Sequence, residues 1–425
     1  MKEINWNKEI DIDKIISFFL YMLIWIMPFL ITSINKLGGI NDDKCIMIYV
    51  ITSFIIVFSL KDIKKRKSLI TIILLIYSVL VILATIFSIN KSVALLGFFG
   101  RNEGMITILC YVVLFIASKN HIIISKKTIN ITLILVTLMS LLVIMQLYIY
   151  DPIYNQATMY GINRDVAIAS KLERLLGTIG HRNFMSTYLV IFLPISISLY
   201  IKLKEKKYLV YSIVIFIALM CTTTRSGWLS VILFMIVMLF FIGGKKEYLK
   251  RFFNIIMIFM AILLVINISL NGVISSRSDK FKNEVVEFNE HSGSNRVKIW
   301  KSVIICIKKH PILGTGPDTV FEALRKEKSK NPNIINAAVD KAHNEFLQIA
   351  LNSGIPSLCL YIVFLILVII NILKHIYDYK YKILLLVFLS FIIQSFFNIS
   401  VISVAPIMWI LFGIMSKDEI IIYNM

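Results

Sequence analysis

Charge is scarce in this chain. Only 16% of its 425 residues are Asp, Glu, Lys or Arg and 58% are hydrophobic, whereas the surface of a soluble protein needs about a quarter of its residues charged. Acidic residues are scarcer still, 25 against 45 Lys and Arg. The basic excess falls in short stretches between apolar runs, a pattern of membrane topology rather than of nucleic-acid binding. The five cysteines (Cys45, Cys110, Cys221, Cys306 and Cys359) have no paired spacing and sit almost wholly in apolar segments. That excludes a disulfide framework or a zinc site read from spacing and leaves them as small packing residues. Walker loops, His-x-x-x-His, Gly-x-Ser-x-Gly and a dinucleotide fingerprint are all missing from any suitable context. An internal repeat is missing too, which weighs against an inverted-repeat transporter.

What the chain does have is apolar runs long enough to cross a roughly 30 Å hydrocarbon core as helices. Hydropathy places spans at 15–31, 44–60, 69–87, 104–118, 128–150, 183–201, 207–222, 226–242, 252–270, 355–373, 382–397 and 399–415. The expected fold is therefore an all-α integral membrane protein of about 12 transmembrane helices. The first run lacks a small-residue cleavage site, so it reads as a retained helix. Basic connectors at Lys61 to Lys67, Lys119 to Lys127, Lys202 to Lys207, Lys245 to Arg251 and Lys374 to Lys382 belong in the cytoplasm, with both termini.

The sequence then divides into spans 1–9 (1–270), one large outer loop (271–354) and spans 10–12 with a short tail (355–425). Within the loop, Ile299, Trp300, Val303, Ile304 and Ile307 have helical spacing over Arg296 to Lys309. Asp318 is placed to cap a short helix through Lys328. A further helix is expected from Ala337 to Asn352, amphipathic and lying on the outer membrane surface, with Gly354 and Pro356 separating it from the tenth span.

Arginine and lysine are sorted differently across the membrane. Two of the ten arginines, Arg66 and Arg251, fall on the cytoplasmic side, and eight fall outside: Arg101, Arg164, Arg174, Arg182, Arg225, Arg277, Arg296 and Arg325. Lysine suffices for orientation, but a planar guanidinium is favoured where phosphate or carboxylate is held by two hydrogen bonds, so the outer face is expected to hold an anionic ligand. Arg225 lies in Thr222-Thr223-Thr224-Arg225, the whole connection between two spans, within reach of a lipid phosphate or simply snorkelling. Arg296 opens a loop helix, where free N–H groups already favour an anion. His343 can take a proton near neutrality and is a possible general base, or a packing residue. Asn41-Asp42-Asp43 reads as a turn and helix start in preference to a metal site.

At these residues the sequence resembles the O-antigen ligase and polymerase family of bacterial membrane glycosyltransferases. The ordered motifs are Gly100-Arg101-Asn102-Glu103-Gly104, Gly177-Thr178-Ile179-Gly180-His181-Arg182-Asn183-Phe184, Thr224-Arg225-Ser226-Gly227-Trp228, Arg296 with Trp300, His310-Pro311-Ile312-Leu313-Gly314-Thr315-Gly316-Pro317, and Ala342-His343-Asn344-Glu345-Phe346-Leu347-Gln348 followed by Gly354. The resemblance implies transfer of a glycan from an undecaprenyl-diphosphate carrier to an acceptor hydroxyl, of a glycan or lipid-glycan, on the outer face of the cytoplasmic membrane. It implies no metal and no cofactor. Arg225 and Arg296 then hold the donor diphosphate and His343 serves as base. Arg182, Arg101, Asn183 and Asn344 are the further expected substrate contacts. The family often has Asn where His181 stands, which makes His181 a rival base or a cap on the sixth span; the cap is the preferred reading. Because the chain ends soon after the twelfth span, a protein acceptor is not expected. The competing classes are a lipid-linked glycan flippase or other polysaccharide transporter, and a non-catalytic assembly component.

Overall fold

A computed structural model describes residues 11–30, 41–59, 68–148, 177–270, 272–286, 295–335 and 338–423. Arg66, Arg164, Arg174, the basic connector 61–67 and most of the connector 151–182 lie outside the described residues. In chain order the helices among the described residues are α1 (Ile12–Trp25), α2 (Asp42–Ser59), α3 (Leu69–Ile86), α4 (Lys91–Leu96), α5 (Met105–His121), α6 (Lys126–Tyr148), α7 (Arg182–Leu203), α8 (Lys206–Cys221), α9 (Arg225–Ile242), α10 (Lys246–Ser269), α11 (Val273–Val286), α12 (Arg296–Lys309), α13 (Val320–Lys328), α14 (Glu345–Lys374), α15 (Tyr379–Phe397) and α16 (Ala405–Met415). The one departure from all-α among them is a parallel pairing of two-residue strands, Ile124–Ser125 with Ile422–Tyr423.

Eight of these helices are long and apolar enough to cross a membrane: α1 with its 3₁₀ extension to Phe29, α3, α6, α7, α9, α10, α14 and α15. The count of about twelve needs four more. Of these, α5 and α16 are apolar but short, α2 opens with Asp42, Asp43 and Lys44, and α8 with two lysines. The span read at 399–415 shortens to α16. Residues 398–404 stay out of the helix, and Pro406 occupies its first turn, where a missing N–H costs nothing.

Helix α7 is the most buried of the eight long apolar helices, with 83% of its most apolar 18-residue stretch buried, and packs against α8 and α15. The outermost helices keep large apolar side chains bare: in α10, Met257, Leu264, Val265 and Ile268 are all more than 60% exposed. An apolar face of that kind, on a helix long enough to cross a membrane, suits contact with lipid. Helix ends pair consistently with the alternating topology. Arg101, Thr178, Arg182, Arg225 and the described parts of the 271–354 loop gather at one end of the bundle, while His121, Ile201 and Lys417 meet partners at the other.

The loop has its own small core. Ile299, Val303, Cys306 and Ile307 of α12 pack against Val320, Ala323 and Leu324 of α13 and against Ala350 and Leu351. Ile304 instead remains 40% exposed. Two expectations for the loop are corrected. Asp318 does not cap α13; its carboxylate is fully buried, accepts the Phe98 N–H and pairs with Arg101. The surface helix expected from Ala337 to Asn352 does not form over 338–344. The helix begins only at Glu345 and runs through Gly354 as the first part of the 30-residue α14, its residues 348–354 buried. Asn344 stops the helix extending further back, because its Oδ1 accepts the Leu347 N–H as an N-cap.

The Gly354 kink explains the glycine-rich strap before α13. Gly354 has φ 87°, and its departure from helical geometry, together with Pro356, frees carbonyls upstream. The strap takes them: Thr315 N–H donates to Leu351 O at 2.8 Å and Gly316 N–H to Asn352 O at 2.9 Å, while Ile355 N–H donates to Pro311 O at 2.8 Å. A Cβ at Gly354 would overlap the Ile312 carbonyl. Gly354→Ala is therefore expected to destabilise the folded chain by about 1–3 kcal/mol, the usual cost of forced backbone strain. A thermal melt in detergent checks it, and an unchanged midpoint would contradict the strap geometry.

Candidate active site

Three guanidinium groups converge where α7, α9 and α12 begin. Each is the first residue of its helix: Arg182, Arg225 and Arg296. Helix starts bring their own free N–H groups to the same point, so the field there favours an anion. Burial, together with the charges of Arg225 and Arg182, lowers the Arg296 pKa to about 10. Arg296 also lies over the Phe397 ring, 5.9 Å from its centroid. Arg225 grips Glu284 of α11 with two parallel hydrogen bonds of 2.6 and 3.0 Å, the geometry in which a guanidinium takes a bidentate oxyanion. Arg182 keeps Nη1 buried and without a partner among the described residues.

The connector before Arg225 is held from beneath. Thr223 adopts φ 50°, Thr224 donates to Ser186 of α7 at 2.6 Å, and Gly227 packs so closely that a Cβ would overlap Ser186 and Thr224. Ser186 in turn meets Gln394 of α15. Arg225 is thereby fixed to the most buried of the eight long apolar helices.

His343 stands beside this cluster in a left-handed conformation, φ 51°. Histidine visits that region more readily than most residues, yet held strain of this kind is commonest at functional sites. Its short segment is pinned on all sides. Trp300 Nε1 donates to Ala342 O at 3.0 Å, Ala342 N–H donates to Gln348 Oε1 at 2.8 Å, and Asn344 Nδ2 donates to Phe396 O at 3.2 Å. Arg101 holds the Asp340 carbonyl from the other side. Burial, then the positive charges of Lys341 and Arg296, push the His343 pKa down to about 3. His181 falls to about 4 by burial and the charges of Lys341, Arg182 and Arg296. Both rings are neutral at pH 7.

The site residues read from sequence thus fall into two groups. Arg225, Arg296, Arg182 and His343 come together. Asn183 contributes its backbone: its N–H donates to His181 Nδ1 at 3.1 Å, so His181 is the N-cap of α7, as the sequence reading prefers. Asn344 spends both its amide groups on the cap and on Phe396. Arg101 stands apart as well: its fork is occupied by Asp318 and Asp340. Sequence reasoning missed Glu284, Lys341 and Phe397, since a lone acid, a lone lysine and a span-end phenylalanine carry no motif. Among the described residues no three His, Cys, Asp or Glu side chains gather as metal ligands.

The two depressed histidines predict an acid limb in stability. Unfolded histidine titrates near 6.5, so between that pH and about 4 to 3 the unfolded chain binds protons that the fold refuses, and stability falls as pH falls. His343→Gln is expected to flatten part of that fall, read as melting temperature against pH; an identical slope would contradict the buried neutral ring.

The fold and the site together define a polytopic helical membrane protein with an arginine cluster and a neutral histidine under one large loop. Residues 209–362, from α8 through the loop into α14, match the family model described as O-Antigen ligase, which supports the family resemblance carried by the motifs. An uncharacterized protein of Haemophilus influenzae is 25% identical over 177 residues, 38% of this chain and 42% of that protein. The chain therefore matches about two-fifths of the length of this curated relative.

Proposed function

We propose that the chain is a membrane glycosyltransferase of the O-antigen ligase or polysaccharide polymerase type. It moves a glycan from an undecaprenyl-diphosphate carrier to an acceptor hydroxyl at the outer face of the cytoplasmic membrane, without a divalent metal and with inversion at the anomeric carbon. The observation that carries this reading is the convergence of Arg182, Arg225 and Arg296 beside His343, with a buried Arg182 N–H that has no partner among the described residues. Such a cluster is costly unless an anion completes it.

In this reading the donor diphosphate displaces the Glu284 carboxylate from Arg225 and lies between Arg225, Arg296 and Arg182. Its polyprenyl tail stays in the bilayer. The acceptor oxygen attacks the anomeric carbon, the bond to the diphosphate breaks, and the guanidinium groups stabilise the charge that the leaving group gains. His343 takes the proton of the attacking hydroxyl. A ring whose pKa is about 3 in the empty site is a weak base, and the bound diphosphate raises it by placing negative charge beside it. The acid limb of kcat is therefore expected at higher pH than the limb of kcat/KM, since the first reports the donor-bound enzyme and the second the free one. Coincident limbs would remove His343 from the base role.

Single replacement of Arg225, Arg296 and His343 by Ala tests the assignment. Loss of product in membranes with normal protein levels is expected for each; retained product would overturn the site. Export of lipid-linked glycan without transfer would favour the flippase.

A further inference from the structure

Behind the segment that carries His343 lies a chamber of about 50 Å³ with an aromatic and aliphatic side, which includes Tyr361 and Trp409, and a polar side of Glu103, Glu345, Asn352, Gln348 and Arg101. Glu103 and Glu345 are both more than nine-tenths buried. Tyr111 donates to Glu103 at 2.9 Å, and Glu345 accepts from the backbone N–H and, at 2.6 Å, the hydroxyl of Ser400. Among the described residues neither carboxylate is in a salt bridge, although the Arg101 charge acts on both. Arg101 is shared between Asp318 and Asp340, and Lys341 lies 3.7 Å from Asp340, so four acids face two bases. The walls also hold polar atoms without a partner among the described residues: Asn352 Oδ1 and Gln348 Nε2, on residues over nine-tenths buried, and Arg101 Nε. The Gln348 amide is fixed, because its Oε1 accepts the Ala342 N–H.

We propose that this chamber binds one monovalent alkali cation through the carboxylates of Glu103 and Glu345 and the amide oxygen of Asn352. Hard oxygen donors suit such an ion. The volume has room for the ion with a few waters, at about 10–15 Å³ for each water. Gln348 Nε2 supplies a donor for one of those waters. Burial pushes the Glu103 carboxyl well above the usual carboxylate range when nothing compensates it, and a cation beside it opposes that. The ion would tie the 88–103 connector, which carries Glu103, to the start of α14, and so support the loop that positions His343.

The test is the melting temperature of the full chain in detergent at fixed pH and ionic strength, in sodium, potassium or N-methylglucamine chloride. A rise of a few degrees in an alkali salt over N-methylglucamine, saturating with concentration, is expected. Glu103→Gln and Glu345→Gln should each lose that dependence. Equal melting in all three salts, or a dependence kept in both variants, would overturn the proposal and leave protons as the neutralising charge. Should the variants fail to fold, equilibrium dialysis of the wild-type chain against radioactive sodium or rubidium decides: one retained ion per chain supports the site, and none refutes it.

Discussion

Arg296→Ala should lower glycan transfer by roughly 10²–10³-fold, the cost of removing one fixed donor to a developing anion, with the folded chain as stable as before or more so. The sign of the stability effect follows from the surroundings. Arg296 is buried, and Arg225 and Arg182 already disfavour its charge, so deleting it relieves repulsion in the empty site. Loss of activity with no loss of stability separates a functional residue from a packing one. Arg296→Lys should recover part of the rate, since the charge returns without the planar fork that holds two oxygens at once. The measurement is transfer rate against melting temperature for the three proteins side by side. A fall in both for Arg296→Ala would make it a structural residue.

Arg101→Ala is expected to act in the opposite manner, destabilising the fold by about 3–5 kcal/mol, as when one partner of a buried ion pair is removed. Asp318 is fully buried, and burial raises its pKa even with Arg101 beside it. Without the guanidinium it must either stay charged in a dry site or take up a proton, and Asp340 loses its anchor to the 88–103 connector. Because Asp340 leads directly into the His343 segment, transfer should fall in step with folded protein. Thermal melting with activity per folded chain checks this. Full stability in the variant would return Arg101 to the role of substrate contact.

The difference between these arginines shows what the sequence could and could not reveal. The eight long apolar helices, α12 and α13 were legible because apolar length and helical spacing are local properties. The grouping of Arg182, Arg225 and Arg296 was legible through short motifs and topology, since all three were placed on one face. The local geometry of His343 was not. Its side chain fits the apolar face of a helix by spacing, yet the Asn344 cap and the Gln348 bond to Ala342 start the helix two residues later. Asp318 misled for a similar reason: an acid before a helix is usually a cap, and only the tertiary fold brings it to Arg101, 217 residues away. Glu103 and Glu345 likewise line one chamber only when the 88–103 connector meets the start of α14.

The central claim is that the chain itself transfers glycan through this cluster. Purified protein in lipid, given undecaprenyl-diphosphate repeat units with chelator present, first without and then with candidate acceptor glycans, tests it most directly. Longer lipid-linked glycans or a glycosylated acceptor are expected, and their loss in His343→Ala protein that still melts like the wild type. Unchanged donor with every acceptor offered, or product that survives the His343→Ala change, would contradict it.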